Sequence, residues 1–379
     1  MTLPLAKKLS IGVQTIHRRT EPATAPWEPR IDDLVELVQL VDRSGYDSLW
    51  AGDHISYAIP ILDPMLQLAQ AAVVSRRLIL GTSILLLPLR HPTPVAKQVT
   101  TLDHLTEGRF ILGVGAGVLR SDAEALGLLD ADRQAMFVES IDQVLAIWAG
   151  QAPYDIKGKF WNVSTMKTNW PEVGIGDIVK PYQKPHPFIV GTASDPGSRG
   201  VFELGKRGWG PVSSNLLHVN CLANHWTSYA KGAAEAGRTA DREIWRVARS
   251  IFVSEDSKVA KSYGGDDANS PYRFYMRQLL MKLGKFKRLA SFKAQPDMPD
   301  EEVTLEYVLE NIVIRGTVNE VVDRILAMHE TIGDFGTLLY CGKDWTDVAL
   351  GRKSMELMAE KVMPAVNAAI GKSATRRVG

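Results

Sequence analysis

Eight short β-rich runs, each followed by a helical pattern except where insertions intervene, predict an α/β protein of the (β/α)8 (TIM) barrel class. Strict βα alternation calls for a parallel sheet, because a parallel pair needs a crossover that a helix supplies. Eight units in 379 residues favour closure into a barrel over an open, doubly wound sheet, the alternative compatible with the same alternation. The whole chain, 1–379, then forms one barrel domain with insertions at about 151–185 and 262–300. In such a barrel, functional groups belong at the C-terminal ends of the strands.

The elements follow in order. Residues 8–15 (KLSIGVQT) make a first strand, and the loop behind it, with Pro22, Pro26 and Pro29, cannot be helical. A helix from about Ile31 places Leu34, Val35, Val38 and Val41 on one face, and Ser44-Gly45 ends it before the second strand at Ser48–Ala51. Leu62–Ser75 is helical and Leu78–Ile84 is the third strand. Pro92 fits the first turn of the next helix, which ends near Thr106. Arg109–Gly117 is the fourth strand, running into a glycine-rich turn. The helix after it carries Phe137, Ile141, Val144, Leu145 and Trp148 as a stripe. Strands resume at 187–191, 208–212, 244–253 and 336–341. Thr317 and Glu320 have the spacing of a capping box, opening a helix with Val318, Val321, Val322, Ile325 and Leu326. A final helix near 352–370 turns Met355, Met358, Val362, Val366 and Ile370 inward.

Composition excludes several functional classes. Hydrophobic residues at 45% and charged residues at 23% are the balance of a globular protein with a large core. With 44 Lys and Arg against 43 Asp and Glu, the net charge of +1 provides no general field for nucleic acid or an anionic membrane. Two cysteines, Cys221 and Cys341, make no disulfide framework, and no His/Cys cluster has zinc spacing. No apolar run is long enough for a secretion signal or a membrane span. A cytoplasmic, enzyme-sized globule is expected.

Four strand ends or loops could carry chemistry. The second strand ends Asp53-His54, placing a proton donor beside a positioning carboxylate, unless one of them merely caps a loop. The third runs through Leu86 and Leu87 to His91-Pro92. Its apolar residues suit either a flat ligand or plain core packing, and His91 either a site or a helix cap. The fourth ends Gly113-Val114-Gly115-Ala116-Gly117. A dinucleotide fingerprint would need glycine at 118, where Val118 stands, so the bare backbone at Gly115 and Ala116 suits close approach of a planar group instead. After the fifth strand, Ser194-Asp195-Pro196-Gly197-Ser198-Arg199 opens a helix with Pro196 in its first turn. Free N–H groups, hydroxyls and a guanidinium there suit a phosphate, though a simple N-cap uses the same residues. Residues 272–293 form a basic amphipathic stretch. Tyr272, Tyr275 and Met276 lie on its apolar face, fitting a lid that supplies substrate contacts better than a membrane or nucleic-acid helix.

Taken together, Leu49–His54, Leu80–Ser83 with Leu87-Pro88 and His91-Pro92, Leu102-Asp103 with Glu107–Phe110, and Leu112–Gly117 resemble the luciferase-like flavin monooxygenase superfamily. Gly158–Trp161, Pro181–Pro187 and Gly316-Thr317 extend the resemblance over nearly the whole chain, and the later half is most similar to the limonene and diketocamphane monooxygenase branch. The resemblance implies the same barrel, with flavin held in its mouth. It assigns Gln14, Ser83, Ile84, Gly115 and Ala116 to the cofactor, and Ser194, Gly197, Ser198 and Arg199 to its phosphate. Ser83–Ile84 matches a place where relatives often carry a non-proline cis peptide. Asp53-His54 falls where luciferases have an acid–histidine pair, making His54 the catalytic candidate and Asp53 its orienting partner. Luciferases have an arginine where this chain has Ala116, so their phosphate contacts do not transfer wholesale.

The implied activity is a two-component oxygenation. Reduced FMN from a separate flavin reductase reacts with dioxygen to a flavin peroxide, which oxygenates a hydrophobic ring ketone, terpene or aromatic held near Leu86, Leu87, His91, Tyr272, Tyr275 and Met276. A deazaflavin-dependent hydride transfer on the same barrel is the alternative, and a non-catalytic flavin-binding protein the less favoured one. No metal is implied, and relatives suggest a homodimer.

Overall fold

The computed structural model describes residues 9–14, 31–56, 61–197, 199–344 and 346–377. All eight expected runs are strands: β1 (Ser10–Gln14), β2 (Ser48–Ala51), β3 (Ile79–Thr82), β4 (Phe110–Gly115), β5 (Phe188–Ala193), β6 (Gly210–Ser213), β7 (Arg246–Val253) and β8 (Thr337–Cys341). Their hydrogen-bonded order is β7-β8-β1-β2-β3-β4-β5-β6, with β6 also pairing β7, the strand order of a closed (β/α)8 barrel. A further strand, Val313–Gly316, runs parallel to β7 from Ser250 to Val253; the sequence pattern had not marked it as a strand. Contacts divide the chain into two compact units, one of residues 50–190 and the other of residues 4–49 with 191–379.

In the first unit, β3 pairs β4 in parallel through Leu80↔Phe110 and Gly81↔Ile111. The third strand, expected to run unbroken to Ile84, stops at Thr82 and resumes as Leu85–Leu86 against Val114–Gly115. Between the two pieces lies Ser83–Ile84, whose peptide is cis. The glycines of β4 serve this junction. A Cβ at Gly113 would lie 1.8 Å from the Thr82 carbonyl oxygen, and one at Gly115 would lie 2.0 Å from Ile84 Cδ1. The chain's own third strand is therefore one group that approaches the bare backbone of Gly113 and Gly115 closely. Thr82 Oγ1 closes the contact, donating to Gly113 O at 2.7 Å and accepting from Gly113 N at 2.8 Å.

Several motif residues of this unit turn out to be clamps. Buried Asp103 accepts from Gln183 N (2.9 Å) and Nε2 (2.7 Å), binding helix Pro92–Leu105 to the Pro181–Pro187 segment. Glu139, on helix Arg133–Ala149, accepts the amides of Lys159, Phe160 and Trp161. That helix buries Ile141, Val144 and Trp148, as its periodicity predicts. The 151–185 insertion holds a two-stranded antiparallel pair, Asp155–Ile156 with Val163–Ser164.

In the second unit every residue of β7 is buried, as befits a strand covered on both faces. β7 pairs β6 and β8, and β8 pairs β1. Helix Ile31–Arg43 buries Val38 and Val41. Helix Val318–Ile332 begins with the expected capping box, Glu320 Oε2 accepting from Thr317 N at 2.6 Å. Helix Pro271–Lys285 packs Tyr272, Met276, Leu279 and Leu283 into a cluster with Phe252, Tyr263 and Phe292. Its apolar stripe is thus core, and the substrate-facing role expected of Tyr272 and Met276 does not hold. Tyr272 is 0% exposed, and its hydroxyl donates to Ile251 O at 2.5 Å.

Candidate functional site

The chain leaving β2 turns Asp53 and His54 to different partners. Asp53 is buried and accepts from Arg90 Nη1 (2.5 Å), Arg90 Nη2 (3.2 Å) and the Leu86 amide (2.9 Å). A bidentate guanidinium consumes the carboxylate, so Asp53 ties β2 to the Leu85–Leu86 segment and does not orient the neighbouring imidazole. The partner of His54 is Asp122, from the short helix Arg120–Glu124. His54 Nδ1 donates to Asp122 Oδ2 at 2.7 Å.

Asp122 is itself fixed, its Oδ1 accepting from Ile55 N, Ser56 N and Ser56 Oγ at 3.1, 2.8 and 2.9 Å. Burial on its own would raise its pKa, but the hydrogen bonds from His54 and Ser56 outweigh it and hold the carboxyl below its ordinary value. The side chain of Asp122 is 2% exposed and that of His54 27%. Because a carboxylate only accepts, a neutral His54 carries its proton on Nδ1 and its lone pair on Nε2. A half-exposed imidazole in a fixed tautomer on a buried acid can take up or give a proton at Nε2.

Other expected contacts in this unit fall out differently. His91 is the N-cap of helix Pro92–Leu105, its Nδ1 accepting from Thr93 N at 3.2 Å. Leu86 and Leu87 are buried, Leu87 inside a turn of 3₁₀ helix. Ser83, Ile84, Gly115 and Ala116 are half-buried at the ends of their strands, where a barrel carries its ligand groups.

The second unit contains the loop after β5. The helix expected to start at Pro196 begins at Arg199 and runs to Arg207, so Pro196 lies in the bend before it. Asp195 Oδ1 accepts from Gly197 N at 2.8 Å, and Arg288 Nη2 lies 3.4 Å from both Ser194 O and Asp195 Oδ2. Ser194 is half-buried, while Gly197 and Arg199 are exposed. The first amides of helix Arg199–Arg207 have no acceptor within their own helix, Arg199 is its first residue, and the Arg288 guanidinium reaches the loop before it. With the Asp195 carboxylate already engaged, this donor set fits a phosphate dianion. Ser198, and the side chain of Gln14 at the end of β1, lie outside the described residues. Tyr275 keeps partial exposure, with Lys343 Nζ 4.3 Å from its ring centroid.

Two functional groups escaped the sequence pattern. Asp122 stands in a short polar segment after the glycine-rich turn, with no spacing to tie it to His54, 68 positions away. Arg288 appears in sequence only as one charge of a basic run.

Known proteins resemble this chain over most of its length. The family model described as luciferase-like monooxygenase matches residues 10–334. The 4-hydroxyprotoasukamycin monooxygenase of Streptomyces nodosus subsp. asukaensis is 33% identical over 361 residues, covering 92% of this chain and 89% of that protein. Limonene 1,2-monooxygenase of Rhodococcus erythropolis is 29% identical over 357 residues, with 92% and 86% covered. A solved type II Baeyer–Villiger monooxygenase, the oxygenating constituent of 3,6-diketocamphane monooxygenase from Pseudomonas putida in complex with FMN, matches with a TM-score of 0.80 at 25% identity. That match covers 94% of this chain and 98% of the other. With the barrel strand order and a family match over most of its length, this chain belongs to the luciferase-like monooxygenases.

Proposed function

We propose that this chain is the oxygenating component of a two-component system: it takes reduced FMN from a separate reductase and uses dioxygen to oxygenate a hydrophobic small molecule. The observation that carries this is the His54–Asp122 pair at the end of β2, in a chain whose relatives are named monooxygenases. The neighbour solved with FMN is described as an oxygenating constituent, which supports delivery of the flavin by another protein. Reduced flavin supplies two electrons, so that one oxygen atom enters the substrate and the other leaves as water.

The remaining tasks belong to this chain. Ser194, Arg199, Arg288 and the helix amides from Arg199 onward hold the phosphate. Ser83, Ile84 and Ala116, half-buried at their strand ends, are assigned to the flavin ring on the family resemblance. His54 takes up or releases a proton at Nε2, and Asp122 holds Nδ1 so that only Nε2 exchanges. Tyr275 is the one residue of the basic helix's expected substrate face that keeps exposure for a hydrophobic substrate.

Titration with reduced FMN without air, followed by admission of air with a panel of ring ketones, terpenes and aromatics, tests this. One dioxygen consumed per molecule of oxygenated product is expected. Turnover with reduced deazaflavin in the absence of oxygen would instead assign the chain to hydride transfer.

A further inference from the structure

Behind the loop after β5 runs a chain of buried polar side chains to which the oxygenation itself gives no role. His225, on helix Val219–Glu235, is 0% exposed, yet both ring nitrogens are engaged. Nδ1 lies 3.0 Å from Ser213 Oγ, and Nε2 lies 2.9 Å from the backbone carbonyl of Asp195. Ser213, the last residue of β6, also receives a hydrogen bond from Trp245 Nε1 at 2.9 Å.

The proton positions follow from what each group can do. An indole N–H only donates, so Ser213 Oγ accepts from Trp245; a carbonyl only accepts, so His225 Nε2 carries the proton. The single hydroxyl hydrogen of Ser213 then points to His225 Nδ1. The neutral imidazole is satisfied at both nitrogens, and the direction Trp245→Ser213→His225→Asp195 is fixed. Burial lowers the His225 pKa and the charge of Arg249 lowers it further, against the opposing pull of Asp195, so the neutral form is the one the fold keeps.

The end point of this chain matters. Asp195 lies between Ser194 and Gly197, in the segment proposed to receive the flavin phosphate. Its carbonyl is turned inward to a histidine with no exposed surface, so the negative end of that peptide dipole is withdrawn from the loop's exposed side. The same loop is held at Ala193 O by Ser214 N (3.0 Å) and at Ser194 O by Arg288. Carbonyl oxygens facing a dianion would repel it; here three consecutive carbonyls, of residues 193, 194 and 195, each meet a donor.

Resting on the flavin reading above, we propose that His225 is a positioning residue for the flavin phosphate: through Trp245 and Ser213 it locks the Asp195 carbonyl inward, so that the Ser194–Gly197 loop does not turn that carbonyl toward the dianion. The readout is the preference for reduced FMN over reduced riboflavin, which lacks the phosphate, measured by anaerobic titration of the full chain. The wild-type chain is expected to prefer FMN. His225→Phe should weaken FMN binding at least tenfold and leave riboflavin binding unchanged, so the preference collapses. His225→Gln, whose amide can donate to the carbonyl and accept from Ser213, should restore most of it. Ser213→Ala, which loses one hydroxyl, reads the same ratio should His225→Phe not fold, and should lower it.

A merely structural histidine would shift the melting temperature and weaken both flavins alike. Unchanged preference in these variants, with the wild-type chain preferring FMN, overturns the positioning role alone. A wild-type chain without that preference removes the phosphate reading, and this proposal with it.

Discussion

His54 and His225 lie beside strand-end loops in different units, and their surroundings set them to opposite tasks. His54 is half-exposed and hydrogen-bonded to a buried carboxylate at 2.7 Å; His225 is fully buried between a hydroxyl and a carbonyl at 3.0 and 2.9 Å. The Asp122 carboxylate holds Nδ1 of His54 and fixes its tautomer, whereas burial lowers the pKa of His225 and keeps that ring neutral. Exposure and the charge of the partner, not residue type, separate the proton-handling histidine from the scaffolding one.

The largest effect should come from removing the exchanging nitrogen. His54→Asn should lower turnover about 10²–10⁴-fold, the usual weight of a general acid–base group, while reduced FMN binds as before. Asp122→Asn leaves the ring in place with its tautomer no longer dictated, and a loss of about 10-fold to 10²-fold is expected. Steady-state kinetics beside flavin titration check both. Full turnover in His54→Asn would end the assignment and, with it, the contrast with His225.

Asp53 offers a smaller, sharper test, since its side chain is 4% exposed and its charge is matched by Arg90. Asp53→Ala leaves the Leu86 amide without its acceptor and Arg90 with only its 3.3 Å contacts to Asp63 and Leu86 O among the described residues, and should cost about 2–4 kcal/mol of stability. The loss should appear as a lower denaturation midpoint, with turnover per folded molecule less affected than in Asp122→Asn. The reverse ranking would return the orienting role to Asp53.

The strands and the buried helix faces were legible because they rest on local periods: alternation for strands, three-and-four spacing for helices. The Thr317–Glu320 box was readable for the same reason, being closed within four residues. Partners across the fold were not. Adjacency in sequence does not make Asp53 the partner of His54; that partner, Asp122, lies on another element. The Tyr272–Met276 stripe announced a buried face correctly; periodicity does not say against what it is buried, and the answer was Phe252, Tyr263 and Phe292. Gly113 and Gly115 signalled close approach, and the approaching group proved to be Thr82 and Ile84. His91 before Pro92 suited a cap and a ligand equally, and the Thr93 amide shows the cap.

The mildest test concerns acid. His225 and His218 both have pKa values lowered by burial, with Arg249 pressing on each, while Asp195 opposes the shift at His225 and Asn311 opposes it at His218. The unfolded chain takes up these protons near the ordinary value of about 6.5, before the folded chain does. Between that value and the lower folded ones the unfolded state binds more protons, so stability rises with pH there. It is fully present above about 6.5 and is lost as the pH falls through the folded values, with a limiting slope of about 1.4 kcal/mol per pH unit for each histidine. Denaturant midpoints between pH 7.5 and 5 should therefore decline, and His225→Gln should flatten the decline. An undiminished decline in His225→Gln would mean that the burial of His225 does not hold its ring neutral.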